Sequence, residues 1–206
     1  MFLGFYNYTV VLTYLSLCIS TLGIFLASMG DIKMSVLCLM LSGFCDMFDG
    51  KVASTRERTK EEKRFGVQID SLCDLICFGV LPIMICYQFR MGAKEYICAA
   101  TIYLLAALIR LSYFNVMEEQ RQDTTTEARK YYQGLPVTTI ALILPLAYLI
   151  ILTVKTNVTF LYSIVLVLVA IMFLVPFNLK KLSTRGMVIM AMAGFCEFIM
   201  IVFKGI

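Results

Sequence analysis

Histidine is absent from this 206-residue sequence, and charged residues make up only 16% of it. The absence of histidine excludes Ser–His and Cys–His nucleophilic pairs and every histidine-ligated metal site. The eight cysteines lie in apolar segments without a CxxC pair, so we interpret them as small buried hydrophobic residues. Any chemistry must therefore depend on carboxylates, arginines, lysines, hydroxyls or thiols.

Apolar residues are what the sequence has in excess. They account for 60% of the chain, and the mean hydropathy is +0.85, whereas a soluble domain is usually about half apolar and a quarter charged. Apolar stretches of about 20 residues, long enough to cross a bilayer as helices, recur along the chain. Because these stretches are continuous and not alternating, we predict helices and not barrel strands. The predicted helices cover residues 8–29, 33–49, 67–89, 95–116, 135–154, 157–177 and 187–203.

This pattern predicts an all-α, polytopic integral membrane protein in which residues 1–206 form a single membrane domain. The sequence shows no internal repeat and no low-complexity tract. The first apolar segment begins near Tyr8 without a basic leader, so we expect a retained transmembrane helix there. The net charge of +4 is modest, and nothing in it indicates a nucleic-acid partner.

Basic residues are distributed unequally between the two sides of the predicted bundle. If the N-terminus is cytoplasmic, the loops on that side hold 12 of them and the other side holds five. Basic residues favour the cytoplasmic side, so we expect a cytoplasmic N-terminus and cytoplasmic polar loops at about 50–66 and 117–134, in the cell membrane. The twelve are Lys51, Arg56, Arg58, Lys60, Lys63, Arg64, Arg121, Arg129, Lys130, Lys180, Lys181 and Arg185.

Four aspartates stand at the predicted cytoplasmic ends of two successive helices. Asp46 and Asp49 are three residues apart, Asp70 and Asp74 are four apart, and each spacing puts a pair on one helical face. Ionised carboxylates at membrane depth are costly unless they are paired or face a wet cavity. One or two divalent cations would remove their repulsion, and oxygen ligands of this kind suit Mg²⁺, Mn²⁺ or Ca²⁺ rather than zinc.

Small residues accompany these acids. Gly50 follows Asp49, Ala53 lies one turn further along the same face, and Gly66 is expected to open the next helix four residues before Asp70. Small residues beside a metal cluster let a ligand approach the backbone closely, and a nucleotide diphosphate is the natural candidate. For the glycines alone, the simpler interpretation is tight helix packing.

The two acidic segments together resemble the signature of the CDP-alcohol phosphatidyltransferase family. Asp46-Met-Phe-Asp49-Gly50-Lys51-Val52-Ala53 is similar to DxxDGxxAR, and Gly66-Val-Gln-Ile-Asp70-Ser-Leu-Cys-Asp74 is similar to GxxxDxxxD. The sequence departs from the pattern in two ways: Ser54 replaces the arginine after the alanine, and the spacer before Gly66 is longer.

The resemblance implies a six-helix core, here with an extra C-terminal transmembrane helix, and a homodimer. It also implies phosphatidyl transfer from CDP-diacylglycerol to an alcohol in the membrane, with two divalent ions, Mg²⁺ or Mn²⁺, and with Ca²⁺ as another occupant. Asp74 would be the catalytic base. The metal ligands would be Asp46, Asp49, Asp70 and Asp74, and the CDP-binding residues would be Asp46, Gly50, Ala53, Ser54, Arg56, Gly66 and Asp70.

Further segments resemble the phosphatidylserine synthases of this family, which implies serine as the acceptor. They are Phe65 to Pro82, Arg110-Leu-Ser-Tyr-Phe-Asn115 and Gly134-Leu-Pro136. Arg110 lies inside a predicted helix, and its planar guanidinium suits a serine carboxylate or a lipid phosphate; Asn115 is a second candidate for positioning the acceptor. The alternative for Arg110 is an interfacial anchor or a structural ion pair.

Three other interpretations remain open. Another acceptor, such as glycerol-3-phosphate, inositol or inositol phosphate, would keep the same chemistry. A cation transporter could use the aspartates as an ion site, although such folds often contain repeats and broken helices. A relative that binds the CDP-lipid without turnover would explain Ser54.

Overall fold

The computed structural model describes residues 4–88, 94–124, 131–154, 158–180 and 184–204, and helices dominate these ranges. It confirms the all-α prediction. Two three-residue strands, β1 (Tyr131–Gln133) and β2 (Asn178–Lys180), pair in antiparallel fashion. The α-helices in these ranges are α1 Val11–Ser28, α2 Ile32–Ala53, α3 Lys60–Asp74, α4 Leu81–Tyr87, α5 Lys94–Thr124, α6 Ile140–Val154, α7 Val158–Leu174 and α8 Thr184–Lys204.

Four helical stretches are long and apolar enough to cross a membrane: Tyr8–Ser28, Lys60–Tyr87, Tyr96–Thr124 and Gly186–Phe203. Two shorter apolar helical stretches, Val137–Thr153 and Leu161–Leu174, lie beside them. The predicted polytopic architecture is therefore confirmed. The division into a single membrane domain stays a prediction.

A π-helical segment, Leu75–Val80, joins α3 to α4, so the three form one continuous helix. Pro82 has no N–H to donate to the carbonyl of Phe78 four residues earlier. The buried hydroxyl of Tyr103 on α5 donates to that carbonyl instead. Such segments are rare and occur often at functional sites, and this one begins directly after Asp74.

The helix ends fall into two groups. At one end, the Tyr8 and Thr55 hydroxyls are hydrogen-bonded at 2.9 Å, and β1 pairs with β2. At the other end, the side-chain nitrogen of Lys33 donates to the Val202 carbonyl at 3.0 Å. We call the first group the acidic end, because the four aspartates Asp46, Asp49, Asp70 and Asp74 lie there. It contains the ends of α2, α5 and α7 and the beginnings of α3, α6 and α8.

Close packing of helix backbones places α2 inside the bundle. An ideal Cβ on Gly43 would lie 2.6 Å from the Cβ of Ala141 on α6, and one on Gly23 of α1 would lie 2.9 Å from the Cβ of Cys38. Only small residues allow helices to approach this closely, which is a common way of packing in membranes. Aromatic side chains fill the other side of the bundle, where the Tyr103 and Phe173 rings have centroids 5.7 Å apart.

The boundaries differ from the predicted ones at the acidic end, and the polar loops are shorter. α2 runs on to Ala53, α3 begins at Lys60 and α5 continues to Thr124, so much of the predicted loops at 50–66 and 117–134 is helical. The prediction that Gly66 opens a helix is wrong. A capping box between Thr59 and Glu62 begins α3 earlier, and hydropathy alone does not detect polar helical turns outside the membrane.

Candidate metal and nucleotide site

Three of the four predicted aspartates converge at the acidic end. Three carboxylate oxygens, one each from Asp46, Asp49 and Asp70, lie within 4.8 Å of one another. Asp46 and Asp49 lie on one face of α2, and Asp70 lies on the neighbouring α3. The helical spacing and the packing of α2 beside α3 produce an all-oxygen cluster, the donor set that Mg²⁺ and Mn²⁺ prefer.

Asp74 lies one turn deeper along α3 and joins the cluster through Asp46. The carboxyl group of Asp74 interacts with that of Asp46, and that of Asp70 with that of Asp49. Neighbouring carboxylates repel one another when ionised, and a bound cation would offset this repulsion. The four predicted ligands are therefore neighbours, with three forming a compact set and Asp74 at its inner edge.

Hydroxyl groups of α1 form hydrogen bonds with Asp49 and with the part of α2 that precedes the aspartates. The Thr13 hydroxyl donates to Asp49 Oδ2 at 3.4 Å. Deeper in the bundle, the Ser16 and Ser42 hydroxyls lie 2.6 Å apart, and the Ser20 hydroxyl donates to that of Ser42 at 2.9 Å. These side chains are buried, so their hydrogen bonds satisfy polar groups that would be costly to leave unpaired in lipid.

These hydroxyl groups were not predicted from the sequence. Thr13, Ser16 and Ser20 follow one another at intervals of three and four residues in a mostly apolar helix. That spacing puts them on one face, and it is the signal that would have identified them.

Of the small residues predicted to bind CDP, Gly50 borders open space and Gly66 borders the guanidinium group of Arg58. Gly50 is exposed, and a Cβ added there would meet nothing within 4 Å. A Cβ added to Gly66 would lie 3.1 Å from Nη1 of Arg58. Ala53 is the last residue of α2. The space above Gly50 is therefore open to a ligand, and the guanidinium of Arg58 covers the backbone at Gly66.

The two polar residues predicted to bind CDP in the segment after α2 already have local partners. The Ser54 hydroxyl donates to the Lys51 carbonyl at 2.7 Å, at the C-cap of α2. Arg56 forms a 3.7 Å ion pair with Glu62. Neither contact is to the aspartates, and the predicted roles of Ser54 and Arg56 stay predictions.

Arg110 is buried in α5, with 7% of its surface exposed. Its Nε donates to the Leu135 carbonyl at 3.3 Å, and its guanidinium lies 5.9 Å from the centre of the Phe114 ring. Leu135 belongs to a segment that also bonds α7, because its N–H donates to the Met172 carbonyl at 3.2 Å. These contacts give Arg110 a structural role as well, tying α5 to the beginning of α6, and its binding of an acceptor stays a prediction.

Asn115 connects α5 to α3 beside the aspartates. Its Oδ1 accepts a 2.6 Å hydrogen bond from Ser71, the neighbour of Asp70, and its Nδ2 donates to Gln68 at 3.3 Å. Asn115 and Gln68 also line a small polar recess with Arg64. The position is compatible with the predicted acceptor role, which stays a prediction.

An apolar groove of about 350 Å³ opens on the side of the bundle between α2 and α8. Its α2 wall consists of Phe44, Phe48 and Lys51, whose helical spacing puts them on the face of α2 opposite to Asp46 and Asp49. Lys51 is the charged residue of the wall, and its Nζ lies 5.5 Å from the centre of the Phe48 ring. The lining residues are Phe44, Phe48, Lys51, Met187, Val188, Ala191, Met192, Phe195 and Cys196.

The family model described as CDP-alcohol phosphatidyltransferase matches residues 6–193, which is most of the chain. The matched range contains all four aspartates and the described parts of α1 to α7.

Curated relatives carry names that agree with this match. The chain is 38% identical over 112 residues to a CDP-diacylglycerol–serine O-phosphatidyltransferase of Saccharomyces cerevisiae, covering 53% of this chain and 40% of that protein. It is 28% identical over 148 residues to the protein of the same name from Helicobacter pylori, covering 70% and 58%. It is 30% identical over 129 residues to an archaetidylserine synthase of Methanothermobacter thermautotrophicus, covering 62% and 52%. The alignments thus span about half the length of these relatives.

Proposed function

The chain belongs to the CDP-alcohol phosphatidyltransferase family, and from this premise we propose that it transfers a phosphatidyl group from CDP-diacylglycerol to the hydroxyl of L-serine. The observation that carries the proposal is the meeting of Asp46, Asp49 and Asp70 within a bundle of apolar helices. A polar phosphate-transfer centre and a lipid-binding surface are both required when a headgroup reacts while its acyl chains stay in the membrane.

The reaction needs little covalent chemistry from the protein. The serine oxygen attacks the phosphorus that carries diacylglycerol, a new P–O bond forms, and the P–O bond to CMP breaks. Asp74 accepts the proton of the serine hydroxyl, and CMP leaves with the bridging oxygen. Phosphoryl transfer of this kind depends mainly on alignment and on charge neutralisation.

Asp46, Asp49 and Asp70 would hold the divalent ions, with Asp74 as a further ligand. The residues fit this role, because their carboxylate oxygens lie close enough to share an ion and no softer donor belongs to the set. When bound, Mg²⁺ or Mn²⁺ would neutralise charge on the reacting phosphates. The Thr13 hydroxyl would hold Asp49 in its orientation.

The open space above Gly50 would admit the nucleotide, and the groove between α2 and α8 would take an acyl chain of the lipid. The groove is lined almost entirely by apolar side chains, on the face of α2 opposite to the aspartates. An acyl chain in it would therefore lie against the outer face of α2 while the headgroup binds at the inner face.

Serine is the proposed acceptor because the names of the relatives above contain it. Asn115, bonded to Ser71 beside Asp70, and Arg110 are the proposed acceptor-side residues. We further propose that the acidic end faces the cytoplasm, where serine is supplied, since 12 of the 18 basic residues fall in segments that the sequence predicts on that side. A homodimer, implied by the family resemblance, is part of the proposal.

The decisive experiment measures CMP release by the purified chain with CDP-diacylglycerol and either Mg²⁺ or Mn²⁺. Serine, glycerol-3-phosphate and inositol are offered separately, and Asp74→Asn is the control. Release that needs both serine and metal, and that disappears in the variant, would support the proposal. Release driven by another acceptor would refute serine while leaving the chemistry, and no release with any acceptor would refute transferase activity.

A further inference from the structure

Resting on the proposed function, we infer that Arg58 binds the diphosphate of the CDP-lipid and is the principal cationic side chain for the substrate at this site. The inference concerns a residue outside the aspartate motif, in the connection between α2 and α3.

The guanidinium of Arg58 lies over the backbone of α3 near the aspartates. Its Nη1 is 3.1 Å from the point where a Cβ on Gly66 would stand. Gly66 and Asp70 are one helical turn apart on the same face of α3, a distance of about 6 Å along the axis. A diphosphate that contacts the aspartate cluster at one end would therefore extend toward the level of Arg58. The absence of a side chain at Gly66 leaves room for the guanidinium at this level.

The neighbouring cations have other partners. Arg56 forms an ion pair with Glu62, and Lys51 lies against the Phe48 ring beside the groove. Arg58 is partly buried, and among the described residues it forms no ion pair within 4.0 Å, although its charge acts on Glu62 from further away. An anionic ligand in direct contact would offset the cost of holding this guanidinium partly out of water.

The charge of the complete site also favours a cation at this position. Two divalent ions at the four aspartates would only cancel the carboxylate charges, and the diphosphate of the substrate adds about two more negative charges. An arginine at the edge of the cluster provides a positive charge and a planar pair of donors that matches two phosphate oxygens. The short side chain of Ser54, with its hydroxyl bonded to the Lys51 carbonyl, cannot do so.

The test measures CDP binding to the full chain in detergent with Mg²⁺ by titration calorimetry, and then the KM for CDP-diacylglycerol. We expect Arg58→Gln to weaken CDP binding roughly ten- to a hundredfold, the range for loss of a hydrogen bond to a charged group. The KM for the lipid should rise in parallel, while the KM for serine changes little. Arg58→Lys, which keeps the charge but loses the planar fork, should give an intermediate loss.

Lys63→Gln is the matched control, because it removes the same charge from an exposed position on the first turn of α3. A wild-type chain that binds CDP, with equal affinity in Arg58→Gln, would overturn the inference and leave the proposed function standing. A loss in Arg56→Gln together with no loss in Arg58→Gln would assign the contact to the other arginine and overturn it as well. A wild-type chain that does not bind CDP would refute the inference and the proposed function together.

Discussion

The contact between Gly43 of α2 and Ala141 of α6 gives a prediction about stability. A Cβ on Gly43 would lie 2.6 Å from the Cβ of Ala141, far inside the ordinary carbon–carbon separation of about 3.5–4.0 Å. In Gly43→Ala the two helices must therefore move apart, and overpacking of this kind costs about 1–3 kcal/mol. For a chain of this length, that cost lowers the melting temperature by about 2–12 °C.

A double-variant cycle separates this clash from other effects of the new methyl group. Ala141→Gly removes the opposing methyl and costs about 1 kcal/mol through helix propensity. The double variant, Gly43→Ala with Ala141→Gly, has one methyl group between α2 and α6, as the wild type does. It should therefore be more stable than Gly43→Ala alone. Independent sites would instead give additive losses.

The assay can use the cysteines, because the chain has no tryptophan for intrinsic fluorescence but has buried thiols. The interpretation of all eight cysteines as buried is wrong for Cys18, Cys98 and Cys196, which are exposed and are blocked with an unlabelled reagent before heating. A thiol-reactive dye reports when Cys38, Cys77 and Cys86 become accessible on heating. Gly50→Ala, where an added Cβ meets nothing within 4 Å, is the stability control and should not melt earlier. Additive losses in the double variant, or an unchanged melting temperature in Gly43→Ala, would refute the reasoning.

Three further predictions address the rest of the molecule. Tyr103→Phe leaves the Phe78 carbonyl without its hydroxyl donor and should cost about 1–3 kcal/mol, measured by the same thermal assay; an unchanged melting temperature would contradict this. Thr13→Val should raise the Mg²⁺ concentration needed for half-maximal CMP release roughly two- to tenfold, because Asp49 loses a hydrogen bond. Thr13→Ser should stay near wild type, and an equal shift in both variants would refute the role of the hydroxyl. Ala191→Trp fills the groove between α2 and α8 and should raise the KM for long-chain CDP-diacylglycerol while CDP binding stays unchanged; an equal KM would show that the groove takes no acyl chain.

The membrane architecture was predictable because it depends on features that the sequence carries directly. Continuous apolar stretches identify the spans, since lipid leaves the backbone no alternative to internal hydrogen bonds. The acids Asp46, Asp49, Asp70 and Asp74 were predictable as a group, because the helical period puts each pair on one face and charge in a membrane helix is rare.

The details at the acidic end were not predictable from hydropathy. Helical turns such as Lys60 to Phe65 are polar, and their stability comes from a capping box and not from burial. The position of Arg58 over Gly66 depends on how the connection between α2 and α3 folds back, which no periodicity encodes. The π-helical segment at Leu75–Val80 also lacks a periodic signature, although Pro82 marks the carbonyl that needs an outside donor.

The groove between α2 and α8 has a consequence for the order in which the protein is made. The aspartates and the hydroxyl groups of α1 lie within residues 13–74, whereas one wall of the groove comes from residues 187–196 near the end of the chain. Synthesis proceeds from the N-terminus, and early segments can fold before later ones exist. The proposed nucleotide site can therefore assemble while the ribosome is still translating the chain, but the proposed acyl-chain groove is complete only after α8 has been synthesised and has docked.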